Sequence, residues 1–340
     1  MKANVLVWGA TGFIGRHLVQ DLVKAGARVT VVTRSGGASL PWNLGNSVEV
    51  VTQSEALCSS ESLAAIVAKS PIIYNLAGAS GTVLSNNNPI ANLDGNCRIQ
   101  AWFLKACEIA GTRPHVVFAS SRLVYGKPSQ IPVAETAPLF PLSVYAAHKL
   151  CVENYHRIAA NRNLLTYTVC RIANPYGFDP VNFGRGYGFI SDLIGAGLRG
   201  QALQVFGDGR QVRDYLHMSD LVTALRLCGE NISARNQTFN IGSGEGICIL
   251  NAALAIQALT GAPIVHKPWP DEYVSVESGD YVSDLAHSFK MLQFVPNYQF
   301  ASGLAEVIGR ARSGEANVDS TGSEGTLINN SQFETASGGG

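Results

Sequence analysis

Residues 7–15 read VWGATGFIG, which puts glycines at 9, 12 and 15 between an apolar run, VLVW (5–8), and a helical pattern. That helix runs from Ile14 to Ala25, with Leu18, Val19, Leu22 and Val23 on one stripe and Gly26 as its stop. Glycines at this spacing permit a tight turn, a close backbone approach to a pyrophosphate and close helix-to-strand packing. The helix N-terminus then offers free N–H groups and the positive end of a dipole to the phosphates. A lone glycine triplet is equally a turn that uses glycine for its geometry. Strand before, helix after, at the head of an alternating chain, it points to a dinucleotide.

The alternation continues. Strand candidates are RVTVVT (28–33), VEVV (48–51), IIYNL (72–76), HVVFAS (115–120) and YTVCRI (167–172), with helical stretches between them. Strands that are apolar throughout and spaced by helices imply a parallel sheet covered on both faces. The expected fold is α/β: a Rossmann-type doubly wound parallel sheet with a smaller, interleaved α+β substrate domain. After Asn174-Pro175 the texture turns Gly-rich, with one helix candidate (189–198) and a strand-like TFNIG at 238–242. We therefore expect a dinucleotide-binding domain over 1–174 plus 215–242, and a substrate domain over 175–214 and 243–312. From Ser313 the chain is rich in Gly, Ser, Asn and Thr, a composition that predicts a disordered tail over 313–340.

At 340 residues and 46% hydrophobic, the chain can bury a large core. Its formal net charge is zero, so no global basic field invites nucleic acid. Apolar runs fall far short of the roughly 18 residues needed to span a bilayer, and the N-terminus lacks the pattern of a secretory signal. Seven scattered cysteines, odd in number and without a CxxC pair, suit reduced thiols. A cytoplasmic protein is expected.

The second strand ends VVTRSG, with Thr33 where a carboxylate would bind the NAD ribose and Arg34 next to it. An arginine there accommodates the extra phosphate of NADP, so NADP is favoured over NAD, although a loop arginine is by default a solvated charge. The third strand ends VVTQSE, also without its acid.

In SVYAAHKL (143–150), Tyr145 and Lys149 share one helical face. Tyrosine titrates near 10, and a neighbouring ammonium favours the phenolate, which suits acid–base work. By itself the pair is also what any amphipathic helix can show. HVVFASSRLVYG places two serines at the carboxyl edge of the sheet, where ligands collect in open α/β folds.

GATGFIG, NLAG (75–78), SSRLVYG, YAAHK, RIANPYG (171–177), FGDGRQVRDYLHMSDL (206–221) and FNIGSGE (239–245) occur in one order. In that order the chain resembles the extended short-chain dehydrogenase/reductases, in the branch of nucleotide-sugar epimerases and dehydratases, over residues 1–312. The resemblance implies a Ser121–Tyr145–Lys149 triad. Tyr145 would take the proton of a sugar hydroxyl, Lys149 would tune Tyr145 and hold the nicotinamide ribose, and Ser121 would bond the reacting oxygen. Ser120 competes for the serine role, and His148 is incidental. Cofactor contacts are implied at Gly9, Thr11, Gly12, Phe13, Ile14, Gly15, Arg34, Leu76, Ala77 and Gly78, besides Tyr145 and Lys149. Ser121, Asn174 and Arg213 would meet the substrate, Arg213 through its diphosphate.

Related sugar dehydratases carry acids just after the hydroxyl residue. Here Arg122 and Leu123 stand there, and neither serves as an acid or base at neutral pH. The remaining reactions are 4-epimerisation through a transient 4-keto sugar, which is favoured, and net reduction of a nucleotide 4-keto-sugar by NADPH. A non-catalytic dinucleotide-binding regulator would have lost the tyrosine or lysine. The family's usual Arg-x-Gly-Asp reads Glu277-Ser278-Gly279-Asp280 here, so a phosphate partner is lost unless Arg185, Arg210 or Lys267 replaces it. The expected partner is a nucleotide-diphosphate sugar. A homodimer, packed through helices at 92–110 and 144–161, is implied by resemblance alone. No metal site is expected.

Overall fold

The computed structural model describes residues 4–34, 47–179 and 188–313. The expected tail over 313–340, apart from Ser313, and Arg185 lie outside them. Among the described residues twelve strands are formed: β1 (Asn4–Trp8), β2 (Arg28–Thr33), β3 (Val48–Thr52), β4 (Ile72–Asn75), β5 (His115–Ser121), β6 (Thr166–Ile172), β7 (Asn174–Tyr176), β8 (Leu203–Phe206), β9 (Val212–His217), β10 (Gln237–Ile241), β11 (Gly246–Cys248) and β12 (Ile264–Lys267). The helices of the first half are α1 (Phe13–Lys24), α2 (Gln53–Ala56), α3 (Ser60–Ala68), α4 (Thr82–Asn87), α5 (Pro89–Leu93), α6 (Ile99–Ala110) and α7 (Val144–Asn161). Those of the second half are α8 (Phe189–Leu198), α9 (Met218–Glu230), α10 (Ile249–Thr260), α11 (Asp271–Val274), α12 (Ala286–Leu292) and α13 (Phe300–Arg312).

Seven strands form one parallel sheet in the order β10-β6-β5-β4-β1-β2-β3. Every residue of β5 and β6 is buried, as the apolar runs require when helices cover both faces. One face packs α1 and α9 over Val5, Val7, Val31, Val117 and Phe239. The other packs α3, α6 and α7 over Leu6, Trp8, Ile73, Val116 and Phe118. Side chains of this kind each contribute about 1.5–3 kcal/mol on full burial, which makes the sheet the stable platform of the molecule. Strand order reverses between β1 and β4, and the crevice at their carboxyl ends is where such sheets bind ligands.

A third cluster lies away from the sheet, built from α8, β8, α10 and α13 around Ile190, Ile194, Val205, Ile256 and Leu304. β9, from the middle of the chain, pairs with β7 and β11 and so ties the end of the sheet to this cluster. Ser143 caps α7, its hydroxyl accepting from Ala146 N at 3.2 Å, which fixes where the Tyr145–Lys149 helix begins. α6 and α7 leave Trp102, Ile109 and Ile158 on the surface. Among the described residues no helix is long and apolar enough to cross a membrane.

Candidate active site

The glycine turn does what its spacing implies. Gly9 has φ +90°, and a Cβ there would lie 2.8 Å from the Leu76 carbonyl carbon and 2.9 Å from Ala77 N. A Cβ on Gly15 would collide with the Gly9 carbonyl oxygen and come within 2.8 Å of Ala10 Cα. Helix α1 begins at Gly12 with no side-chain cap and no acid in its first turn, so its leading amides suit an anion. Arg16 is buried under the turn and donates to the Thr11 carbonyl oxygen and the Asp179 carboxylate, which locks its back. The cradle, the bare helix terminus and the switch point fit a dinucleotide pyrophosphate.

The other cofactor candidates converge on the same crevice. Leu76 N donates to Trp8 O at 2.9 Å, so 76–78 follow β4 directly beside the turn. Gly78 faces the helix: a Cβ there would stand 3.2 Å from Lys149 Nζ and 2.6 Å from Asn96 Oδ1. Asn96, on a π-helical turn (94–98), is buried with Oδ1 unpartnered and is a neighbour that the sequence did not single out. Arg34 is exposed at the end of β2, whose Val32 O accepts from Gly9 N at 3.2 Å, and Thr33 is buried with its hydroxyl unpartnered.

Lys149 is buried on α7. Nζ donates to Ala119 O at 2.8 Å and lies 4.9 Å from the Phe118 ring centroid and 5.8 Å from that of Tyr145. Burial pushes its ammonium down to about 8, against the pull of Glu153 and Cys97. Tyr145 behaves differently from the expectation. Burial pushes its phenol up to about 12, and the group that opposes this is the Ser121 hydroxyl rather than the ammonium. An ammonium 5.8 Å from the ring centroid, and spent on a carbonyl, is too weak to reverse that.

The two serines part ways. Ser121 Oγ accepts from Leu123 N at 3.2 Å and acts on the Tyr145 phenol. Ser120 donates to Glu153 Oε1 instead, and Oε2 of the same carboxylate takes Arg171 Nη2 in a buried ion pair of 2.8 Å. Alternation along β5 separates the two roles. His148 bonds Asn92 Oδ1 at 2.8 Å, away from the tyrosine.

On the expected substrate side, Asn174 Nδ2 donates to Asp214 O at 2.9 Å while its Oδ1 accepts from Arg122 Nε at 3.3 Å. Arg213 is already held: Nη2 meets Glu277 Oε1 at 2.6 Å and Nη1 donates to Gly279 O at 2.7 Å. Glu277, whose carboxylate suggested repulsion of a phosphate, is thus Arg213's partner. Arg210 is 86% exposed beside Asp208, and Lys267 is exposed on β12, so neither lies in this cluster. Arg122 does, and its buried guanidinium was missed because a side chain in SSRLVYG gives no sign of its direction.

A doubly wound parallel sheet with a glycine cradle at its switch point is the frame of a dinucleotide-binding α/β protein. The chain belongs to the NAD dependent epimerase/dehydratase family, which matches residues 5–242. It is 29% identical over 322 residues to a UDP-N-acetyl-alpha-D-glucosaminuronate decarboxylase of Bacillus cytotoxicus, covering 91% of this chain and 97% of the relative. A solved UDP-glucose 4-epimerase of Thermotoga maritima, with UDP-glucose, is 28% identical with a TM-score of 0.81, over 91% of this chain and 99% of that one. MoeE5 in complex with UDP-glucuronic acid and NAD is 29% identical with a TM-score of 0.79, over 92% and 99%.

Proposed function

We propose that the protein is a nucleotide-sugar 4-epimerase that keeps its nicotinamide dinucleotide bound through the cycle. The observation that carries this reading is the meeting of Tyr145, Ser121 and Lys149 beside Gly78, one residue set from β4, β5 and α7 at one crevice. The bound nicotinamide supplies a reversible hydride acceptor. Tyr145 takes the proton of the sugar's 4-hydroxyl and returns it, and Ser121 bonds that oxygen. Lys149, still an ammonium at pH 7, holds the ribose hydroxyls, while the Ser121 hydroxyl draws down a phenol that burial has made reluctant to ionise. Glycines 9, 12 and 15 with residues 76–78 leave room for the cofactor backbone, and Asn174 and Arg122 border the sugar phosphate. The relatives' UDP-glucose and UDP-glucuronic acid make UDP sugars the first substrates to test. Purified protein should interconvert a UDP sugar and its 4-epimer with no cofactor added; consumption of NADPH with no epimer formed would replace this reading.

That replacement, an NADPH-dependent keto-sugar reductase, draws on Arg34 at the end of β2 where no acid stands. If Arg34 meets the extra phosphate, Arg34→Ala raises the KM for NADPH about tenfold and leaves that for NADH unchanged; an unaltered ratio removes the arginine from cofactor choice. The exposed Trp102, Ile109 and Ile158 on α6 and α7 support a homodimer through those helices, which light scattering of wild type and Trp102→Glu checks.

A further inference from the structure

Arg122 follows Ser121 in the chain and is only 7% exposed. Its polar partners are both neutral: Nε donates to Asn174 Oδ1 at 3.3 Å and Nη1 to Ser278 Oγ at 2.8 Å. The guanidinium also lies 5.2 Å from the Tyr281 ring centroid. Among the described residues no carboxylate forms an ion pair with it, and Nη2, which has no partner, is not sealed from solvent. A buried cation without a counter-ion is costly, and proteins seldom keep one that has no anion to meet.

The neighbouring acids are all committed. Glu277 takes Arg213 Nη2 at 2.6 Å and Gly279 N at 2.9 Å. Asp214 accepts from the Ser243, Gly244 and Ser283 amides, and Asp280 from Val212 N. Two guanidiniums, Arg122 and Arg213, therefore face one another's field with Glu277 matched to only one of them. Burial and then the Arg213 charge push the Arg122 guanidinium down, to about 10, against the weaker pull of Tyr281 and Glu277.

We propose that Arg122 is the anion-binding residue of the substrate pocket, gripping an oxyanion of the nucleotide sugar that Arg213, neutralised by Glu277, does not take. A guanidinium offers a planar fork to two oxygens, which is the shape of a carboxylate or a phosphate. Asn174 and Ser278 hold that fork from the other edges, and adjacency to Ser121 sets it against the sugar whose oxygen that serine bonds. Either the diphosphate or a carboxylate on the sugar ring satisfies this chemistry. The proposal rests on the nucleotide-sugar reading above.

The test is titration of wild type, Arg122→Met and Arg122→Lys with UDP, UDP-glucose and UDP-glucuronate at one fixed salt concentration. A ten- to hundredfold weakening of all three ligands in Arg122→Met identifies the diphosphate; the same loss confined to UDP-glucuronate identifies a sugar carboxylate. Arg122→Lys keeps the charge without the fork, should retain part of the binding, and reads the same quantity if the methionine variant does not fold. Dissociation constants within twofold of wild type for all three ligands overturn the proposal while leaving the epimerase reading intact. Failure of wild type to bind any of them removes both.

Discussion

The two sides of the crevice are built on different principles. The cofactor side is made of backbone: a positive-φ glycine, a helix terminus without a cap, and carbonyls and amides packed so closely that a single Cβ at 9 or 15 has no room. The proposed substrate side is made of polar side chains: the charged Arg122, Arg213 and Glu277 with the amide of Asn174, drawn from four separate parts of the chain. Geometry of the first kind tolerates almost no substitution and repeats as spacing. Charge of the second kind is not fixed by spacing: here a carboxylate stands at 277 and a guanidinium at 122.

The largest expected effect lies where the two sides meet. Tyr145→Phe keeps the ring and removes the titrating oxygen, so kcat should fall about 10³-fold, within the range of general acid–base catalysis. Nucleotide and dinucleotide affinities should stay within about threefold, since the phenol's proton is used in the chemistry rather than in binding. Turnover near the wild-type rate would end the proposed mechanism.

Next is the cradle. Gly15→Ala sets a methyl against the Gly9 carbonyl oxygen and Ala10, and overpacking of this kind costs about 1–3 kcal/mol. The expected result is a lower Tm together with cofactor affinity reduced at least tenfold, while binding of UDP alone changes little. A parallel loss of UDP binding would mean that the two sides are not separable.

The serines give a smaller and sharper contrast. Ser121→Ala should lower kcat about tenfold with little change in Tm, the loss of one hydrogen bond to the reacting oxygen. Ser120→Ala should do the reverse, lowering Tm by leaving Glu153 with Arg171 alone while kcat persists. Kinetics and thermal melts of the pair read both outcomes; equal effects on kcat would return the serine assignment to an open choice.

What was legible follows the same division. The strands RVTVVT and YTVCRI and the helix at 189–198 announced themselves because burial on both faces and 3.6-residue periodicity are one-dimensional patterns. The glycine turn was legible because its constraint falls on neighbours in sequence. Arg122, Asn96 and the Arg213–Glu277 pair were not, because their meaning comes from partners between 18 and 156 residues away, or from a π-turn that periodicity reads as ordinary helix. Tyr145 shows the same limit in energetic form. Its place on α7 was readable, but that burial outweighs the ammonium depends on the walls around it.

Lys149 supplies the finest test of that point. Its ammonium titrates near 8 in the folded chain, because of burial, and near 10.4 when unfolded. Between those values the unfolded chain binds more protons than the folded one, so this residue makes stability rise with pH over that window. Below about pH 8 the group is charged in both states and its contribution is flat. Buried tyrosines such as Tyr74 and Tyr281, pushed up by burial, act oppositely above pH 10, because there the unfolded chain loses protons that the folded chain keeps. The measurement is therefore a difference: the Tm of wild type minus that of Lys149→Met, followed from pH 6 to pH 10. It should be level up to about pH 8 and then climb by a few degrees. A difference that stays level to pH 10 would show that the folded protein keeps Lys149 fully charged, and the environment of Tyr145 would then be more polar than its burial implies.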